Sequence, residues 1–167
     1  MMKVGIGYQN EKNAVAAGRK AALAAIRDGD IDRSDLVLAF CGGQLNADDF
    51  FKGVQSVTGR KTPVIGGSAA GGITRETLAC DGHPAAIAVI QCEAMGYRIA
   101  VAGDLDRDEE QAGLALGQML PAGMAVFERQ DMPLLGFYSG VEVAPLLGKT
   151  RGLDWTGVLL VLAKGSE

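Results

Sequence analysis

Histidine is almost missing from this chain: His83 is the only one among 167 residues, so no zinc site can be assembled from histidines. Cysteine is nearly as scarce. Cys41, Cys80 and Cys92 are an odd number without a CxxC spacing, and Cys41 and Cys92 each close an apolar run, as small buried residues do. Such usage fits a reducing compartment. Clustered positive charge is also absent. The 16 Lys and Arg are scattered among 20 Asp and Glu, for a net charge of −4, which excludes nucleic acid and anionic membrane surfaces as expected partners. No apolar run approaches the roughly 20 residues that span a bilayer. The start, Met1-Met2-Lys3-Val4-Gly5, lacks the apolar core of a secretion signal. A cytoplasmic protein is expected. Neither a low-complexity linker nor an internal repeat is visible in the sequence.

What the chain does have is a globular balance, 48% apolar and 22% charged, in a length close to that of one domain. It also has 24 glycines. They are densest in Thr62-Pro63-Val64-Ile65-Gly66-Gly67-Ser68-Ala69-Ala70-Gly71-Gly72-Ile73, where a short apolar run enters a stretch of small residues. Pro63 suits the start of a strand, and Val64 and Ile65 suit its pleat. The glycines that follow allow positive φ and let a ligand, or another piece of backbone, approach the main chain.

Before that stretch, the pattern is strand, helix, strand, helix, strand. Val4, Ile6 and Tyr8 alternate with Gly5 and Gly7, and the alanine-rich run from Asn13 to Ile26 is a helix that Asp28-Gly29-Asp30 ends through a left-handed glycine. Leu36–Cys41 is an unbroken apolar strand. Asn46 caps a helix carrying Phe50, Phe51, Val54 and Val57, and Gly59 stops it. Parallel pairing is implied. Two further strands, Ala85–Cys92 and Tyr97–Ala102, follow so closely that a hairpin between them is expected. A helix near Asp108–Leu120 comes next, then apolar runs at Ala125–Phe127, Leu134–Tyr138 and Gly157–Leu162, the last a buried strand. The fold class is therefore α/β: a layered fold with a mixed, partly parallel sheet flanked by helices, and antiparallel hairpin strands in the second half.

Several motifs start and then fail. Gly5-Ile6-Gly7 lacks the third glycine of a dinucleotide fingerprint, because Asn10 stands in its place. Gly148-Lys149-Thr150 lacks the opening glycine of a phosphate loop, which would be at Val143. Asp104, Asp106 and Asp108 open like a calcium loop, but Glu109 replaces its glycine and Ala115 its closing acid. Gly66-Gly67-Ser68 lacks the second glycine of a nucleophile elbow, with Ala70 there instead. No complete catalytic set is present.

Certain runs resemble a known family. Ala17-Gly18-Arg19-Lys20-Ala21-Ala22 resembles the early "AGREAA" helix of FIST domains (F-box and intracellular signal transduction), and Asp35–Phe40 resembles their "DLVLVF" strand. Phe50–Val54 matches the helix that follows, and Pro63–Gly71 is similar to "PVIGCSTAGE". In the tail, Gly136–Ser139, Val141–Pro145 and Leu153–Thr156 resemble "GFYSYGEIAP…LHNQT" of the family's C-terminal module. The resemblance implies one FIST-like domain, with an N-type portion over 1–103 and an abbreviated C-type tail over 104–167. It further implies a sensory role in signal transduction, with small ligands bound and amino acids as the usual proposal. Some members are described as haem-based gas sensors. The motif's Cys, Thr and Glu are here Gly67, Ala69 and Gly72, and the tail's His-Asn is Asp154-Trp155.

The expected function is thus a small-molecule sensing domain, with amino acids as its ligand class, no catalysis of its own and no cofactor. Ligands of open sheets favour strand ends. The expected pocket is floored by Gly66, Gly67, Ser68, Ala69 and Gly71, with Gly7, Tyr8, Cys41, Gly42 and Gly43 alongside, and Tyr138, Ser139 and Glu142 reaching in from the tail. A signalling partner protein would carry the output, and homo-oligomerisation is compatible with the sequence. The alternatives are a hydrolase or transferase using Ser68 or Cys41, and haem bound through His83.

Overall fold

The computed structural model describes residues 2–93, 95–102, 108–118, 134–139 and 156–164. They fall into two compact units that divide after Cys92.

The first unit contains β1 (Met2–Asn10), α1 (Ala14–Asp28), β2 (Leu36–Gly42), α2 (Ala47–Thr58), β3 (Val64–Ala69), β4 (Gly72–Ile73), β5 (Leu78–Ala79) and β6 (Pro84–Cys92). Its main sheet is mixed, in the order β1-β6-β2-β3. β2 and β3 run parallel, and β6 lies antiparallel between β1 and β2. The expected crossover from β1 to β2 is present, but the two strands are not neighbours. The expected hairpin between the strand at 85–92 and the one at 97–102 is not formed. β6 has β1 on one edge and β2 on the other, so neither edge is left for the strand that follows.

One face of this sheet is the core. Val37, Ala39 and Cys41 of β2 pack with Ala85, Ile87 and Val89 of β6 beneath Ala17, Ala21 and Ala25 of α1 and Phe50 and Val54 of α2. The alanines let α1 approach the sheet closely, and the β1 glycines complete the fit. A Cβ at Gly5 would lie 1.8 Å from the Ala25 carbonyl oxygen, and one at Gly7 2.0 Å from that of Ala21. Both helices begin at asparagine caps: Asn13 accepts from the Ala16 N–H and Asn46 from the Asp49 N–H. α2 ends at Gly59 in the left-handed region, φ 93°. At the end of α1 the expectation is corrected. Gly29 has φ −91° and Asp30 takes the left-handed position at φ 47°. Gly29 serves close packing instead, since a Cβ there would meet the Gly5 nitrogen at 2.6 Å.

The second unit contains β7 (Met95–Ala102), α3 (Glu109–Gln118), β8 (Leu134–Ser139) and β9 (Thr156–Lys164). Asp108 caps α3, accepting from the Gln111 N–H at 2.9 Å. The strands form an antiparallel sheet ordered β7-β9-β8. This repeats a theme of the first unit. There too a strand, a helix and a second strand are joined by a later strand that inserts antiparallel between the first two, as β6 does between β1 and β2. The sequence shows no repeat because the side chains differ, and only the order of pairing recurs. The apolar run at Ala125–Phe127 lies outside the described residues. No helix among the described residues is long and apolar enough to cross a membrane.

Candidate functional site

β1 is an edge strand of the first sheet, and its outer edge borders a cavity of about 260 Å³. Three elements wall it: Ile6, Gly7 and Tyr8 from β1, Ala24 and Asp28 from α1, and Thr74–Thr77 from the turn between β4 and β5. The β4–β5 hairpin pairs Gly72 with Ala79 and Ile73 with Leu78. It lies over the sheet face away from the helices, with Gly72 against Ala86 and the Tyr8 ring. Its turn is closed by the Thr74 N–H donating to its own loop at the Thr77 carbonyl, 2.8 Å. The Thr77 N–H in return donates to Thr74 Oγ1 at 3.1 Å.

Edge strands leave backbone groups unpaired. Here the Ile6 N–H, which points away from β6, donates to Asp28 Oδ2 at 2.8 Å. The same oxygen holds Arg75 Nη2 at 3.3 Å. One carboxylate thus ties the strand edge, the end of α1 and the hairpin turn together. Alternation along an antiparallel strand turns the N–H and C=O of Tyr8 to the same side as those of Ile6. Glu76 adds a second carboxylate to the wall. The site therefore offers two acids, one guanidinium, two threonines and strand-edge backbone around a small volume.

Of the residues expected from sequence, Gly7 and Tyr8 line this cavity. The others are elsewhere. Cys41 is 1% exposed in the core, and burial pushes its thiol up to about 11. Its thiolate fraction at neutral pH is then on the order of 10⁻⁴, which makes it a poor nucleophile. Gly66 and Gly67 are buried within β3, and a Cβ at Gly66 would fall 1.7 Å from the Ala39 carbonyl oxygen. Ser68 and Ala69 are half-buried at the end of β3, beside Cys41 and Gly42 in register. Gly42 adjoins the Pro84 ring, and Gly71 packs against Ala79 and Cys80. Gly43 is exposed, with open space beside it. The close approach that these glycines permit is thus taken up at Gly66 and Gly71 by the protein's own backbone. Tyr138 and Ser139 belong to β8 in the second unit, and Glu142 lies outside the described residues. His83 is half-buried, its N–H donating to Asn10 Oδ1 at 2.8 Å. Among the described residues, no cluster of three or more His, Cys, Asp or Glu could hold a metal ion.

The turn at Thr74–Thr77 and the acid at Asp28 were missed by sequence reasoning. In the sequence Asp28 reads only as a helix-ending residue, and nothing marks residues 74–77 as part of a site. Only the fold brings them to one edge.

Fold and cavity define an α/β domain with a mixed sheet and a small polar recess along an edge strand. The chain belongs to the FIST N domain family, whose model matches residues 35–167. This is a family of sensory domains in signal transduction. Among solved structures, the chain is similar to a cyanuric acid hydrolase from A. caulinodans. The identity is 12%, the TM-score 0.45, and the match covers 99% of this chain and 71% of that one. No curated protein matches the chain in sequence.

Proposed function

We propose that this protein is a cytoplasmic sensing domain that binds an amino acid, or a molecule of similar size and charge, in the recess beside β1, and passes the signal to a partner protein. The observation that carries this reading is the lining of the recess: Asp28, Arg75 and Glu76 bring both signs of charge to one small volume that Thr74 and Thr77 also line. A ligand with a carboxylate and an ammonium finds a partner for each. Its volume limits the guest, since pockets for drug-sized ligands start at about 300 Å³. The role requires binding and release, and no chemical step.

A thermal-shift screen of the 20 amino acids at millimolar concentration tests the reading. A ligand present at 100 times its Kd adds about 2.7 kcal/mol, which raises Tm by roughly 5–10 °C in a chain of this size. Ala24→Leu, which extends a side chain from α1 into the recess, is expected to remove the shift while leaving the fold intact. If no amino acid shifts the wild-type Tm, this ligand class is refuted.

A further inference from the structure

The ion pair in the wall of the recess is built to be exchanged. Arg75 meets Asp28 through a single contact of 3.3 Å, with the two side chains 67% and 36% exposed. Exposed single-contact pairs are weak, whereas a guanidinium can hold a ligand carboxylate through two parallel N–H bonds. Asp28 is anchored independently of Arg75, because it also accepts from the Ile6 N–H. Arg75 is therefore the partner free to move. It sits in a turn that Thr74 and Thr77 close through two hydrogen bonds, so a displacement of Arg75 carries 74–77 as a unit. Ile73 and Leu78, paired directly below that turn and 80% and 74% exposed, are its outward-facing side chains.

We infer that the Arg75–Asp28 pair is a latch that a zwitterionic ligand opens: its carboxylate takes Arg75 from Asp28, its ammonium replaces Arg75 at Asp28, and the β4–β5 hairpin shifts with Arg75. The inference rests on the recess being a ligand site and adds how occupancy is converted into movement. Charge balance selects the ligand. In the exchange each of the two partners loses one ion and gains another of the same sign. A simple acid would strip Arg75 from Asp28 and leave Asp28 without a cation. A simple amine could settle on Glu76, which forms no ion pair among the described residues, and would leave the latch closed.

L-alanine, propionate and ethylamine are matched probes for this exchange. They are to be compared at equal millimolar concentration against wild type, Asp28→Asn and Arg75→Gln, reading Tm and the hydrogen exchange of amides 72–79. In wild type, L-alanine is expected to raise Tm and change hairpin exchange, whereas propionate and ethylamine do neither. Each substitution is expected to weaken L-alanine binding about tenfold or more, as loss of a charged partner does. Without ligand, Arg75→Gln is expected to speed hairpin exchange roughly two- to fivefold, the range of an exposed ion pair. L-alanine binding undiminished in Arg75→Gln, or matched by ethylamine, overturns the exchange and leaves the recess a ligand site. Hairpin exchange unchanged in unliganded Arg75→Gln overturns the latch, whatever binds. If none of the three probes binds, the zwitterion exchange is overturned, and the amino-acid screen decides separately whether the recess takes a ligand.

Discussion

The contact between α1 and α2 makes the sharpest stability prediction. Each helix presents a glycine to the other's backbone. A Cβ at Gly18 would lie 2.3 Å from the Phe50 carbonyl oxygen, and one at Gly53 2.2 Å from that of Val15. A carbon and an oxygen need roughly 3.2 Å, so an alanine at either site forces the helices apart by about 1 Å in a close-packed interior. A gap of that size forfeits a quarter to a half of the dispersion energy around it. Phe50, Val54, Ala17 and Ala21, all fully buried, are the side chains that lose it. Overpacking costs about 1–3 kcal/mol, and the crowding atoms here are main chain, so the upper value applies. Helix propensity returns about 1 kcal/mol for Gly→Ala. The net loss for Gly18→Ala or Gly53→Ala is then about 2 kcal/mol, a fall in Tm of roughly 4–8 °C. The double variant is the test. One separation relieves both clashes while helix propensity is gained twice, so the double variant should cost about 1 kcal/mol, less than either single variant, a coupling of about 3 kcal/mol. Thermal and urea unfolding followed at 222 nm report it, because α1 and α2 supply 15 and 12 helical residues against 10 in α3. Additive losses, or a neutral single variant, would refute the reasoning.

Two other predictions follow from buried and paired groups. In the folded protein at pH 8, iodoacetamide should label exposed Cys80 and spare Cys41, whose thiol burial holds near 11; mass spectrometry after unfolding in heavy reagent reads both sites. Asp35 accepts from Arg33 at 2.6 Å and from the Cys92 N–H at 2.8 Å, and the Arg33 bond is the main cause holding its carboxyl below the ordinary range. A depressed folded-state pKa stabilises above the unfolded value of about 3.9 and is lost as pH falls through the folded one. The Tm advantage of wild type over Asp35→Asn should therefore be full at pH 6 and shrink below pH 4; an advantage constant with pH would contradict it.

The elements were legible where local chemistry decides them. Alanine periodicity, the Asn46 cap and the Gly59 stop mark α1 and α2, an unbroken apolar run marks β2, and a mostly apolar run marks β6. Pairing was not. Proximity in sequence favoured a hairpin from β6 to the next strand, but β6 is held on both edges by strands some 50 to 80 residues earlier in the chain. Nothing local encodes that. The glycines are ambiguous for a related reason. A bare Cα permits close approach without saying what approaches, and at Gly5, Gly7, Gly18, Gly53 and Gly66 it is another part of the backbone. Gly7 and Tyr8 were expected beside a pocket floored by Gly66–Gly71, whereas the recess they line is walled by Asp28 and Arg75, which lie 47 positions apart and meet only in the folded chain.

The two units explain why the recess is where it is. Both use a helix between two strands and a later strand inserted antiparallel between them. In the first unit, the chain between β2 and β6, residues 43–83, adds α2, β3 and the β4–β5 hairpin. The corresponding stretch between β8 and β9, residues 140–155, is far shorter. The shared pattern supplies the sheet and its edge strand, and the longer excursion supplies the hairpin that turns the edge of β1 into a recess. A binding function located there depends on the excursion and not on the common frame. Shortening the hairpin turn at 74–77 should remove Arg75 and the outer wall together while the helix-covered core, to which none of those residues belongs, keeps its packing.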